Sequence, residues 1–298
     1  MQLNELSQVE SSLQRCGYIT ERKTAMSVYL SMQLNKPLLI EGPAGVGKTE
    51  IAKVMSQSLD ARLIRLQCYE GLDVSHAIYE WNYQRQLLHL KMEEGSDKSI
   101  EERESNIFSD HFLLKRPLLE AILQERPTVL LIDEVDRADE AFESFLLEIL
   151  SEWQISIPEI GTIKANTIPS VVLTSNSIRE LSEALRRRCL YLWIDYPDFE
   201  KEIAIIKRKV PGINEKLAQQ ITLFMQEVRK MKLEKIPGIA ETMDWARALA
   251  ALHLSCLDKS AVEDTLGIVL KDWQDIRHTT DSLSELLEKV GVTSKLDT

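Results

Sequence analysis

Residues 38 to 49, Leu38-Leu39-Ile40-Glu41-Gly42-Pro43-Ala44-Gly45-Val46-Gly47-Lys48-Thr49, leave this chain few choices of fold. An apolar strand runs into a glycine-rich turn, and Lys48 and Thr49 then open a helix. The spacing from Gly42 to Gly47, Lys48 and Thr49 is that of a phosphate-binding loop. Glycines let successive N–H groups converge on one anion, and the dipole of the helix that follows adds partial positive charge at the same place. Lys48 is expected to reach the β and γ phosphates of a nucleotide, and Thr49 to hold Mg2+. The nucleotide-contacting stretch therefore comprises Gly42, Pro43, Ala44, Gly45, Val46, Gly47, Lys48, Thr49 and Glu50.

A second acidic landmark gives the loop its chemistry. Pro127 precedes the apolar run Thr128-Val129-Leu130-Leu131-Ile132, which ends in Asp133 and Glu134. Asp133 is placed to orient Mg2+ through water, and Glu134 to position and activate the attacking water. Such strand ends are common, but this one falls 84 residues after Thr49 (133 minus 49) within a continuing alternation of strands and helices. A further buried strand, Ser170 to Thr174, ends at Ser175-Asn176. The carboxyl ends of parallel strands are where open α/β sheets bind ligands, so Asn176 is expected to hold the attacking water or the γ-phosphate, a turn-forming asparagine being the alternative.

Around these landmarks the chain reads as helices at 5 to 16 and 21 to 34, the P-loop helix Thr49 to Leu59, and a strand Leu63 to Cys68. Tyr18 and Ile19 break the first helical pair and are expected against an adenine ring or in a plain interhelical contact. Residues 69 to 90 carry Trp81, three tyrosines, His76 and His89 without a metal-ligand grouping. Met92 to Ser105 is charged and reads as a solvated loop. Ala138 to Ser151 is an amphipathic helix, and Ile155 to Ile168 alternates around Gly161 as a β-hairpin. A short helix, Ile178 to Leu185, leads to Arg186-Arg187-Arg188-Cys189 and a last strand, Leu190 to Ile194. Beyond Pro197 only helical periodicity appears, at 198 to 209, 213 to 231, 241 to 257, 259 to 271 and 274 to 290. The expected organisation is a nucleotide-binding domain over 1–195, with an insertion around 69–110 and a hairpin around 155–168, followed by a helical domain over 196–298.

Composition bounds what such a chain does. With 298 residues, 44% of them hydrophobic, it can bury a sizeable core. Its apolar runs are of strand length, far short of the ~20 residues a membrane helix needs. Met1 to Ser12 is polar, so no secretory leader is expected there. The four cysteines, Cys16, Cys68, Cys189 and Cys256, lie far apart and read as reduced, packed thiols of a cytoplasmic protein. A formal net charge of −11 weighs against gripping nucleic acid along the whole chain.

The P-loop, the Asp133-Glu134 strand end, the Asn-ended strand, the arginine-bearing turn and the helical tail, in that order, resemble the AAA+ ATPases over essentially the whole length. That resemblance implies a P-loop AAA+ αβα sandwich with a parallel central sheet and a C-terminal all-helical lid. The stretches Cys68-Tyr69-Glu70-Gly71-Leu72-Asp73, Tyr79-Glu80-Trp81-Asn82-Tyr83, Arg187-Arg188-Cys189-Leu190-Tyr191 and Trp193-Ile194-Asp195-Tyr196-Pro197 are similar to the MoxR family. Within it they are similar to the ATPases that assist maturation of carbon monoxide dehydrogenase and related molybdenum enzymes. The resemblance implies Lys48 and Thr49 as Walker A, Asp133 and Glu134 as Walker B, Asn176 as sensor 1 and Arg188 as arginine finger, with Arg187 in reserve. It also implies ATP and Mg2+, a ring of identical subunits such as a hexamer, and a metalloenzyme client or a partner with a von Willebrand A domain. One departure stands out: the stretch Gly238-Ile239-Ala240-Glu241-Thr242-Met243-Asp244-Trp245 lacks the sensor 2 arginine of MoxR-type lids, and Arg247, about one turn on, is the substitute candidate.

Two other functions compete with a remodelling chaperone. One is a motor or loader on nucleic acid, against which stand the acidic balance and the lack of an appended basic helix pair. The other is a nucleotide-gated scaffold without turnover, which Glu134 and Asn176 argue against. GTP is disfavoured because no Asn-Lys-x-Asp follows the P-loop.

Overall fold

The computed structural model describes residues 5–93 and 99–292, which form two compact units. The first takes the residues through Cys16, Thr20–Glu41 and Thr49–Trp193; the second takes Gly17–Ile19, Gly42–Lys48 and everything from Ile194.

In chain order the first unit opens with helices α1 (Leu6–Arg15) and α2 (Arg22–Gln33), strand β1 (Leu38–Glu41), helix α3 (Lys48–Leu59) and strand β2 (Arg62–Gln67). The insertion follows, with α4 (Val74–Ala77), β3 (Tyr79–Trp81), α5 (Tyr83–Met92), α6 (Ile100–Ile107) and β4 (Leu113–Lys115). Then come α7 (Pro117–Ile122), β5 (Thr128–Asp133), α8 (Glu140–Glu152), β6 (Gln154–Ile157), β7 (Gly161–Lys164), β8 (Ser170–Ser175), α9 (Glu183–Arg188) and β9 (Leu190–Trp193).

Five of these strands make one parallel sheet in the order β2-β5-β8-β1-β9, with helices flanking it. Position in the sheet explains the sequence pattern of each strand. Thr128 to Asp133 is buried at every residue, as a central parallel strand covered on both faces must be, and it reads as a continuous apolar run. Strand β2 lies at the edge and alternates, with Ile64 and Leu66 in the core and Arg65 and Gln67 turned out of it. The β2–β5 register sets Gln67 opposite Asp133. Central core residues such as Leu39, Leu130, Ile132 and Leu173 are almost fully buried, each stabilising the unit by roughly 1.5–3 kcal/mol relative to exposure. Two antiparallel pairs stand apart from the sheet: β3 with β4, and the expected hairpin, β6 with β7.

Three expectations need correction, the first being the helix over 274 to 290, which is two helices, Trp273–Asp281 and Leu283–Lys289, separated at Ser282. Met92 to Ser105 is not a loop throughout, because Ile100–Ile107 is helical. Ser99 accepts from the Glu102 N–H while the Glu102 carboxylate accepts from the Ser99 N–H, a capping box that starts a helix despite its charge. Residues 94–98 of that stretch lie outside the described residues. The helix expected from Ile178 to Leu185 begins instead at Glu183, after Ser182 caps it by accepting from the Leu185 N–H. Arg186, Arg187 and Arg188 consequently occupy its last turn, where cations complement the helix dipole, rather than a turn beyond it.

The second unit is helical: α10 (Phe199–Lys209), α11 (Glu215–Lys230), α12 (Ile239–Ala251), α13 (Lys259–Val269), α14 (Trp273–Asp281) and α15 (Leu283–Lys289). Its core is centred on Phe224 and Trp245, whose rings are tilted with centroids 5.1 Å apart. The buried Trp245 indole donates to the Thr265 hydroxyl at 2.8 Å, so its polar atom is satisfied. Asp198, Asn214, Asp258 and Asp272 each accept backbone N–H groups at a helix start, which is why the helix boundaries are sharp.

Candidate nucleotide site

In the second unit the phosphate-binding loop is shaped by contacts that only glycine permits at two points. A Cβ on Gly42, at φ +154°, would lie 1.9 Å from the Ile194 carbonyl oxygen. Gly45, at φ +75°, has the backbone of Gly238 at its surface. Lys48 is buried, and its ammonium donates to the carbonyls of Gly42 at 2.7 Å and Pro43 at 2.6 Å. The lysine is thus folded along the inside of the loop, where an anionic phosphate would meet an ammonium already stripped of bulk water. Tyr18 and Ile19 belong to the same unit as the loop and are half-buried.

In the first unit, Thr49, the next residue in the chain, donates its hydroxyl to Asp133 Oδ1 at 3.1 Å. Thr174, inside β8, donates to the same oxygen and accepts the Glu134 N–H at 3.0 Å. Asp133 therefore has its carboxylate fixed beside the Thr49 hydroxyl, a hard-oxygen pair of the kind that suits Mg2+, an ion that takes one or two protein oxygens and fills the rest with water and phosphate. Among the described residues no group of three or more His, Cys, Asp or Glu side chains is arranged to hold a metal.

Glu134 sits in the left-handed region, φ 55° and ψ 49°, a conformation costly for a non-glycine residue and one that turns its carboxylate off the line of the strand. That carboxylate has three neighbours. Asn176 approaches Oε1 through Nδ2 at 3.4 Å, Gln67 donates Nε2–H to Oε2 at 3.0 Å, and Arg137 pairs with Oε2 at 2.8 Å. The structure thus brings together Thr49, Asp133, Glu134 and Asn176 as the sequence suggested, with roles still to be tested.

Five contributors escaped the sequence reading, Thr174 among them. Arg65 grips the second oxygen of Asp133, with Nε at 3.1 Å, while also donating to Gln67. Both residues sit on the outward face of β2, a position visible in the alternation Ile64, Arg65, Leu66, Gln67 but not attributable to Asp133 without the strand order. Arg137 lies one short turn past Glu134. Asp136, buried, accepts the N–H groups of Asn176 and Ile178 through Oδ2, both at 3.0 Å, and so shapes the turn from which Asn176 projects.

The arginines of α9 are exposed. Arg188 donates to the Ser151 hydroxyl and to the Ala184 carbonyl, Arg187 pairs with Glu183, and Arg186 lies over the Tyr191 ring at 5.8 Å. Arg247 is also exposed and pairs with Asp244 at 3.1 Å. Burial, and then the neighbouring carboxylates of Asp133, Asp136 and Glu134, push the Cys68 thiol up to about 12; burial does the same to Cys189. Both are held as unreactive thiols.

Residues 37–189 match the family described as AAA domain (dynein-related subfamily), slightly more than half of the chain. The chain belongs to that family. It is accordingly an ATPase, with ATP and Mg2+ as the reactant and ion its site handles. Among similar proteins are an uncharacterized protein of Staphylococcus saprophyticus, 25% identical over 79% of this chain and 84% of that protein, and the gas vesicle ATPase GvpN of Haloferax mediterranei, 23% identical over 93% of this chain and 78% of that protein. A proline-to-glycine mutant of Thermotoga maritima RuvB shares the fold, with a TM-score of 0.50 at 17% identity over 98% of this chain and 84% of that one. No helix among the described residues is long and apolar enough to cross a membrane.

In this family Mg2+ supplies charge neutralisation on the phosphates and a fixed orientation for them. Asp133, steadied by Thr49, Thr174 and Arg65, is the residue that would hold that ion with Thr49. Glu134, approached by Asn176 from the turn after β8, has a carboxylate that could orient water and take its proton.

Proposed function

We propose that this ATPase is a remodelling motor of the MoxR type that works as a ring of identical subunits, a hexamer, on a partner protein in the cytoplasm. In this reading residues 1–195 bind and hydrolyse the nucleotide and 196–298 form the lid. Tyr18 and Ile19 pack on the adenine, and Arg188 reaches the γ-phosphate held by the next subunit. The client is a metalloenzyme such as a molybdenum hydroxylase, reached directly or through a partner with a von Willebrand A domain. The observation that supports the reading is the hydrogen-bonded set of Thr49, Asp133, Glu134 and Asn176, the groups that turnover, rather than passive nucleotide binding, would need. The net charge of −11 favours a protein client over nucleic acid.

The test is a trap. Glu134→Gln should bind ATP without hydrolysing it, and a client should co-purify with it in ATP, leave in ADP and survive nuclease treatment. Retained material that is nuclease-sensitive, and whose retention falls steeply with rising salt, would favour a nucleic-acid motor instead.

A further inference from the structure

The N-terminus of α12, where a MoxR-type lid would carry its sensor 2 arginine, meets the phosphate-binding loop through backbone atoms. The Gly45 carbonyl accepts the Ile239 N–H at 2.9 Å and the Ala240 N–H at 3.4 Å. These are first-turn donors that the helix itself leaves without partners, and Gly238, at the cap position, has no side chain to satisfy them. The contact is as close as two backbones allow. A Cβ on Gly238 would lie 2.8 Å from the Gly45 Cα and 2.9 Å from its carbonyl carbon and oxygen, although Gly238 has a φ of −90° that any residue adopts.

Behind this contact is a buried ion pair that fixes the turn. Arg229 on α11 is 6% exposed and Glu202 on α10 is fully buried. The guanidinium donates to both Glu202 oxygens at 2.7 Å, to the Thr242 hydroxyl at 2.8 Å and, through Nε, to the Pro237 carbonyl at 2.9 Å. One face of it covers the Tyr196 ring at 5.1 Å. The fork of a guanidinium can hold a carboxylate, a hydroxyl and a carbonyl at once in fixed directions, which an ammonium cannot. A buried pair of this sort adds little net stability over apolar packing, so its distinctive effect is geometric. It sets Pro237 and Gly238, on one side through the Pro237 carbonyl and on the other through Thr242.

We propose that Arg229 and Gly238 are positioning residues for nucleotide binding: Arg229 sets the 237–238 turn, and Gly238 holds the phosphate loop in shape through Gly45. Lid and loop then move as one body, and the lid senses the phosphates through the loop's backbone instead of through an arginine of its own. Neither residue touches the nucleotide.

The experiment measures the Kd of a fluorescent ADP analogue and the melting temperature of the full chain with and without ATP. Gly238→Ala, whose Cβ would press on the Gly45 backbone and so lower the nucleotide-free melting temperature, should fold and weaken binding about tenfold, a change of roughly 1.4 kcal/mol. Gly267→Ala, in the same unit but with open space around the added methyl group, should bind like the wild type. Arg229→Lys keeps the charge opposite Glu202 but loses the fork, and should also weaken binding and shrink the stabilisation that ATP confers. Should Gly238→Ala not fold, Arg229→Lys decides alone. Wild-type affinity in a folded Gly238→Ala, or a lowered melting temperature with unchanged Kd in Arg229→Lys, would overturn the proposal. Because wild-type binding is measured in the same series, failure of nucleotide binding itself is told apart from failure of the positioning.

Discussion

Lys48 and Glu134 are both charged, and on the proposed reading they should fail differently when replaced. Lys48 lies buried along the loop with its ammonium on the Gly42 and Pro43 carbonyls, where on the proposed reading it would supply charge to the phosphates before any chemistry begins. Lys48→Ala should lose ATP binding in an equilibrium titration. Glu134 is proposed to act in the chemical step, and general bases contribute typically ~10²- to 10⁴-fold to rate. Glu134→Gln should therefore keep its Kd and lose kcat by about that factor, and unchanged turnover would remove it from the catalytic role. The cysteines offer a simpler check. Cys68 and Cys189, with thiols pushed up to about 12, should resist alkylation in the native protein at pH 8 and react only on unfolding. Rapid native labelling of Cys68 would contradict its burial.

Between β5 and β8, hydrogen bonds set the geometry of the candidate site. Asp136 ties the turn after β8 to the segment after β5, and Asn176 reaches Glu134 from that turn. Asp136→Ala leaves two N–H groups of the 176–178 turn without their acceptor, at a cost of about 1–3 kcal/mol for such a loss. It should lower kcat more than it changes the Kd for ATP; a variant with lowered stability and normal kcat would make Asp136 merely structural. The same elements show what a sequence can disclose. Asp133 and Glu134 were legible because a central parallel strand is an unbroken apolar run, so its first polar residues mark its end. Gly42 to Thr49 were legible because each residue type has a task in holding phosphate. Arg65 and Gln67 were not, because their partners are set by the pairing of β2 with β5, 68 and 67 residues further on. The contact of Gly45 with Gly238 was hidden for the same reason: neither glycine differs in sequence from one that merely turns the chain. Helix α6 was obscured by its own charge, which outweighed a capping box only four residues long.

At the scale of the whole molecule, the proposed ring would make each subunit depend on its neighbour. In that ring ATP should favour assembly, because a ligand bound only by the assembled state shifts the equilibrium by mass action. Light scattering should show a larger species with ATP and Glu134→Gln than without nucleotide, and a monomer under both conditions at high concentration would contradict it. Dependence on the neighbour is tested most directly by mixing two inactive proteins. Lys48→Ala has a dead site and an intact Arg188, whereas Arg188→Ala binds ATP but lacks a residue worth about 10³ to 10⁵ in rate where an arginine finger acts. Mixed in equal amounts, with subunit exchange verified by labelled chains, they should recover ATP hydrolysis well above either alone, since some interfaces then pair an intact site with an intact finger. No recovery despite exchange would contradict action of Arg188 across a subunit boundary, and Arg187 would be the residue to test next.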